Sequence, residues 1–158
     1  MKIINLSKKF FILIIYILFF LNNYAYSLTL EKTSITLDNP WGMSWMDENN
    51  LLITQKSGEI FSVNTNDFIK TKIDHDIPFI QHGQGGLLDI TSEKNIVWVT
   101  GSIKKKGKYT TAIYRAEFKN DKLINEKLIY EAIPYFENGK HFGSRIEIFD
   151  DYLFISIG

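Results

Sequence analysis

A weak internal repeat of short strand pairs is the feature that most constrains the fold of this chain. Each unit has glycine and an apolar strand, then an acidic or polar turn, then a second apolar strand, and the units cover residues 40–54, 85–100 and 143–157. Successive units begin about 45 to 57 residues apart, close to the roughly 40–50 residues of a β-propeller blade. No segment shows a sustained 3.6-residue periodicity. The pattern predicts an all-β chain, and three unrelated hairpins of a β-sandwich are the alternative interpretation.

Turn signals divide the chain into strands. The pair Ser57-Gly58 lies between two apolar runs and predicts a hairpin. Residues 104–108 hold four lysines around one glycine and predict a solvated hairpin tip, with an interaction site as the alternative. Apolar, β-branched and aromatic runs predict strands at 51–54, 59–63, 96–100, 110–118 and 123–130. The residue types of the last run also permit a helix, but its neighbours favour a strand.

Residues 1–27 have the pattern of a secretory signal. Three lysines precede a twelve-residue apolar run at 10–21, and the small residues of 25–27 supply a cleavage site. The apolar run is shorter than the roughly 20 residues of a membrane span, so an uncleaved anchor is the less favoured alternative. We therefore expect an exported chain, periplasmic or secreted, with no membrane span after cleavage and a mature domain at residues 28–158.

The charge and the cysteine count exclude several classes of protein. Residues 28–158 carry 15 Lys+Arg and 18 Asp+Glu, a formal net charge of −3. This balance, with no basic arm, gives no reason to expect a nucleic-acid partner. Cysteine is absent, so disulfides and lipidation of an N-terminal cysteine are excluded.

Length indicates that the domain is a part of something larger. The mature segment accommodates only about three blades, whereas a closed propeller needs at least four. The chain also ends at Gly158, within a predicted strand. We therefore expect the N-terminal part of a larger propeller, and an incomplete site.

Histidines and a glycine-rich loop are the candidate functional residues. His75 and His82 lie seven residues apart near carboxylates, which admits a metal site but is also typical of a solvated loop. Gln84 stands among three glycines that permit close approach of the backbone, so it either presents an amide to a ligand or belongs to a bulged strand entry.

His141 opens a second short turn, at 141–145. An imidazole on such a turn can act as a base near neutral pH, and capping the turn is its alternative role. Arg145, one of only two arginines, is a candidate charge partner or anion clamp.

Four segments together resemble one family, the soluble sugar dehydrogenases that depend on pyrroloquinoline quinone (PQQ), in the glucose/sorbosone dehydrogenase family. The nearest branch is similar to the periplasmic aldose sugar dehydrogenases. Any single segment is a weak signal, but their order behind a secretory signal is fairly specific. The segments that carry the resemblance are 40–43, 82–89, 141–145 and 153–158.

The resemblance implies a six-bladed β-propeller with PQQ and calcium at one end, of which this chain forms the first three blades or so. It implies that His141 is the general base for an aldose C1 hydroxyl, that Gln84 lies near the reacting end of the sugar, and that Arg145 has a structural or supporting role. The residues that bind PQQ and calcium are expected beyond Gly158, with no metal ligands in this piece. The electron acceptor stays unidentified.

Departures from the family pattern limit what the resemblance implies. Ser144 replaces a usual glycine, and Lys140 stands where the glucose-specific branch has an acidic residue, so glucose specificity is in doubt. We expect this piece alone to be inactive and to bind cofactor weakly. The alternatives are a non-catalytic propeller that binds a sugar or a protein, and a metal-dependent lactonase propeller.

Overall fold

The computed structural model describes residues 10–11 and 28–158, so most of the predicted signal segment lies outside the described residues. The chain divides into two units, Met1–Lys32 and Thr33–Gly158. The second unit contains ten β-strands, which confirms the all-β prediction. In the part of the chain that is described, no helix has the length and apolar character needed to cross a membrane.

The ten strands form three antiparallel sheets in chain order. The first sheet has the order β1-β2-β3-β4, the second β5-β6-β7-β8, and the third is the hairpin β9-β10. Each repeat unit recognised in the sequence supplies the first two strands of one sheet. The strands are β1 Pro40–Trp45, β2 Asn50–Gln55, β3 Ile60–Asn64, β4 Lys70–Ile73, β5 Leu87–Glu93, β6 Ile96–Lys105, β7 Lys108–Lys119, β8 Lys122–Glu131, β9 Ile146–Phe149 and β10 Tyr152–Ile155.

Polar residues and glycines fix the turns. The Asp47 carboxylate accepts hydrogen bonds from the backbone N–H groups of Asn49 and Asn50, each 2.9 Å long, between β1 and β2. Hydrogen bonds from the Asn50 side chain and from these amides hold the pKa of Asp47 below its usual value. Gly58 adopts a φ of 114° at the next turn, where a left-handed backbone favours glycine.

One predicted boundary was wrong, and one strand was not predicted. The basic stretch at 104–108 is the exposed hairpin tip that the sequence predicts, with Lys106-Gly107 as its turn, but the strands extend into it, because Lys104 pairs with Tyr109 and Lys105 with Lys108 in register. An ion pair of 2.9 Å between Lys105 and Glu131 offsets part of the charge. Strand β4 was not predicted, because only one of its four residues, Ile73, is both apolar and buried.

An apolar cluster joins the first two sheets. Its members are buried and belong to both sheets and to the connection between them, which makes the two sheets one packed body. The cluster comprises Leu52, Ile60, Ile73, Ile77, Leu87, Ile90, Val97, Val99, Ala116 and Leu123.

Candidate functional site

Two irregular segments form the candidate site, one before β5 and one before β9. The first is a tight loop in which the Gly85 N–H donates to the carbonyl of His82 over 2.9 Å. Gly83 has a φ of 58°, and a Cβ there would collide with the carbonyl oxygen of Gly139 in the second segment. Glycine is therefore required at Gly83, because the two segments touch backbone to backbone.

Gln84 and His141, predicted separately, are brought together. The carboxamide oxygen of Gln84 accepts a hydrogen bond of 2.9 Å from the backbone N–H of His141. The Gln84 N–H in turn donates to the carbonyl of Gly139 over 2.6 Å. Both side chains are exposed, so a ligand has access to the amide and to the imidazole.

The segment that carries His141 has an unusual backbone. His141, Gly143 and Ser144 have φ values of 60°, 65° and 84°, in the left-handed region that disfavours residues with side chains. Phe142 and Ser144 point into the protein and are buried, whereas His141 is exposed. His141 lines a small cavity whose wall also includes Thr110, Phe136, Lys140 and Phe142.

Three buried polar side chains of the second sheet hold this segment. Thr111 on β7 donates to the carbonyl of Phe142 over 2.6 Å, and Thr100 on β6 donates to that of Ser144 over 2.6 Å. Asp89 on β5 accepts a hydrogen bond of 2.9 Å from the N–H of Ile146. The roles of these residues could not be predicted from the sequence, because threonine is an ordinary strand former. The only signal was the position of Asp89 at the end of the glycine-rich motif.

Arg145 makes an ion pair with a buried acid. Its guanidinium lies 3.3 Å from the Asp89 carboxylate, and the Asp89 side chain is only 5% exposed. The Arg145 side chain itself is 72% exposed, so solvent weakens the attraction. The geometry places Arg145 as a partner of Asp89 at the start of β9.

The other two histidines have structural contacts. The Ile77 N–H donates to Nδ1 of His75, so Nε2 carries the proton and donates to the carbonyl of Gly58 over 2.8 Å. His82 stacks on the Tyr109 ring at a centroid distance of 4.0 Å. Within residues 10–11 and 28–158, no group of three or more His, Cys, Asp or Glu is arranged to hold a metal ion.

Burial also shifts one titratable group on β7. Burial, followed by the negative charge of Glu131, raises the pKa of the Tyr114 phenol. The phenol therefore stays neutral at physiological pH, and its ring meets Phe79 edge to face at 5.6 Å. Tyr114 thus packs as a neutral aromatic side chain against Phe79.

Comparison with known proteins identifies relatives of this domain. Residues 37–158 match the Glucose / Sorbosone dehydrogenase family. An uncharacterized protein of Synechocystis is 31% identical over 136 residues, which are 77% of this chain and 33% of that protein. The chain thus spans about a third of the length of this curated relative.

Solved structures give the same result at the level of the fold. The apo-form of the soluble aldose sugar dehydrogenase of Escherichia coli is 28% identical, with a TM-score of 0.70 over 77% of this chain and 38% of that one. The PQQ-bound aldose sugar dehydrogenase of Streptomyces coelicolor is 21% identical, with a TM-score of 0.62 over 74% and 36% of the two chains. Two sheets and a hairpin therefore correspond to part of a β-propeller, as predicted.

Proposed function

The chain belongs to the glucose/sorbosone dehydrogenase family, and we propose that the protein of which it forms part oxidises the C1 hydroxyl of aldoses with PQQ as the oxidant. The observation that carries the proposal is the hydrogen bond between Gln84 and the His141 backbone, because it unites the two residues that the resemblance predicts at the reacting end of the sugar. The aldose sugar dehydrogenases among the structural relatives support the class of substrate.

His141 is proposed as the general base. A neutral imidazole takes the proton from the C1 hydroxyl oxygen while the C1 hydrogen leaves as hydride, so the sugar loses two electrons and two hydrogens and becomes a lactone. The His141 side chain is exposed, and the residue lines the cavity, so the hydroxyl has a route to the ring. Gln84 fixes the backbone at His141 and, in this proposal, also lies beside the sugar.

PQQ supplies the hydride acceptor when it is bound. It is a flat quinone with carboxylate groups, so its binding site needs cations. Lys56 and Lys140 are two cations at the site segments: the Lys56 ammonium donates to the carbonyl of Gly83 over 2.9 Å, and Lys140 lines the cavity with His141. These residues do not form a complete cofactor site. We therefore propose that the remaining parts of the protein supply the PQQ and calcium contacts.

Export to the periplasm or the exterior follows, in this proposal, from the secretory pattern of residues 1–27. Oxidation there requires an electron acceptor, which is proposed as a partner without being identified. Lys140 lines the cavity beside His141 and has the opposite charge to the acidic residue of the glucose-specific branch. In this proposal the preferred aldose is therefore not assigned as glucose.

The test uses the complete exported protein, reconstituted with PQQ and calcium and assayed for dye reduction with a panel of aldoses. His141→Ala is expected to lower kcat by about 10²- to 10⁴-fold, the usual contribution of a general base. His75→Ala is the matched control, because it removes an imidazole whose contacts are with Gly58 and Ile77 and not with the two site segments. Its kcat is expected to stay close to that of the wild type. A complete, folded protein without PQQ-dependent activity, or an active His141→Ala variant, would refute the proposal.

A further inference from the structure

We propose that Asp89, Thr100 and Thr111 form a clamp, hereafter the polar clamp, that positions His141 for proton abstraction. The inference rests on the proposed function and deepens it, because it assigns positioning residues in the second sheet to a base that belongs to the next sheet. Three adjacent strands, β5, β6 and β7, each contribute one buried side chain to it.

The need for a clamp follows from the backbone of the segment. His141 and Ser144 are not glycines, yet both occupy the left-handed region, at φ values of 60° and 84°. Such conformations are unfavourable for residues with a side chain, and they persist where surrounding contacts impose them. They also concentrate at functional sites, where they hold a group in a required direction.

The clamp contacts are regularly spaced. They engage Phe142, Ser144 and Ile146, which are alternate residues of the segment, at 2.6, 2.6 and 2.9 Å. All three clamp side chains are at most 3% exposed as residues, so water does not compete for these hydrogen bonds. Of the three clamp contacts, the one nearest to His141 is that of Thr111, which binds the carbonyl of Phe142.

The first sheet provides an internal control for this arrangement. Thr54 on β2 accepts the N–H of Gly42 and donates to the carbonyl of Leu88, and Thr100 on β6 repeats both contacts with Asp89 and Ser144. The threonine is therefore a repeated element of the fold.

The other two clamp contacts belong to the second sheet alone. Where the second sheet has Asp89, the first has Gly42, which has no side chain to offer. Pairing of β2 with β3 ends at Thr54 and Ile60, whereas pairing of β6 with β7 continues beyond Thr100 through Ser102 and Thr111. The longer hairpin thus brings Thr111 against the His141 segment, and its additional length has a positioning role.

The experiment compares isosteric variants in the complete protein reconstituted with PQQ and calcium. Thr111→Val is expected to lower kcat by about 10- to 100-fold, as a displaced catalytic group does, while KM for the aldose changes less than about twofold. Thr111→Ser restores the hydroxyl and is expected to restore kcat. Thr54→Val is the matched control: it removes a buried hydroxyl of the repeated kind, and kcat is expected to stay unchanged.

A second measurement does not depend on turnover. Amide hydrogen exchange of residues 142–146 in the complete protein is expected to accelerate in Thr111→Val and in Asp89→Asn, but not in Thr54→Val. Unchanged exchange would overturn the clamp, and faster exchange with an unchanged kcat would overturn its positioning role. If the wild-type protein shows no PQQ-dependent oxidation, the proposed function fails, and the exchange data still decide whether the clamp holds the segment.

Discussion

The two contact regions of the second sheet differ in chemistry. Toward the first sheet it presents a mainly apolar face, in which Ile90, Val97 and Val99 are at most 2% exposed and the bond from Thr54 to the Leu88 carbonyl is a polar contact. Toward the segment before β9 it presents the polar clamp, in which hydroxyl and carboxylate groups bind backbone atoms. Apolar burial is strong but has no preferred direction, whereas hydrogen bonds specify position. The comparison indicates that one region stabilises the fold and the other directs His141.

Truncation in the apolar region should have the largest effect on stability. Leu52→Ala in the complete protein is expected to lower the free energy of unfolding by about 2–5 kcal/mol, through lost burial and a residual cavity. Leu52 is completely buried, whereas its neighbour Leu51 is partly exposed. Leu51→Ala is therefore the control, and it should lower the free energy of unfolding by less. Denaturant unfolding measures both variants. A fall in kcat for folded Leu52→Ala would break the proposed division between the two regions.

A substitution at Gly42 tests the close contact between β1 of the first sheet and β5 of the second. A Cβ at Gly42 would lie 2.8 Å from the Cα of Asp89 and from the carbonyl oxygen of Leu88, closer than real contacts allow. Gly42→Ala should therefore destabilise the complete protein by about 1–3 kcal/mol through overpacking. Ser44→Ala on the same strand should change stability by less than about 0.5 kcal/mol. A neutral Gly42→Ala variant would show that β1 and β5 can separate without cost.

Asp47 should give the smallest effect, confined to acidic pH. Its pKa is lowered in the folded state, so its stabilisation is complete above the unfolded pKa and disappears as the pH falls below about 4. The difference in unfolding free energy between wild type and Asp47→Asn should thus narrow as the pH falls below about 4, with Glu48→Gln as the control. A constant difference from pH 3 to pH 6 would show that the carboxylate charge has no part in holding the turn.

Local sequence patterns predicted many of the strands and turns, but they did not predict contacts between residues far apart in the sequence. Ser57-Gly58 and the β-branched runs located strands correctly, because turn chemistry and strand composition are local properties. The extension of β6 into Lys104 and Lys105 was missed, because cross-strand pairing and the Glu131 ion pair override the composition of the stretch.

The candidate site shows the same division. Resemblance pointed to Gln84 and His141, and the structure adds their mutual hydrogen bond across 57 residues of sequence. Thr100 and Thr111 reach partners 44 and 31 residues away. Nothing in a single sequence distinguishes a threonine with such a partner from one that only fills a strand, so these residues required the fold.

The support of the His141 segment by the preceding sheet has a consequence for recombination. A blade is the natural module to exchange between propellers, and the irregular stretch between β8 and β9 is the obvious crossover point. A crossover there separates His141 from the strands that hold it. The portable unit therefore runs from His82 to Phe149, which includes Gln84, the whole second sheet, the His141 segment and β9. Chimeras joined in the β9–β10 turn should retain a correctly aimed imidazole, whereas blade-by-blade chimeras should lose it.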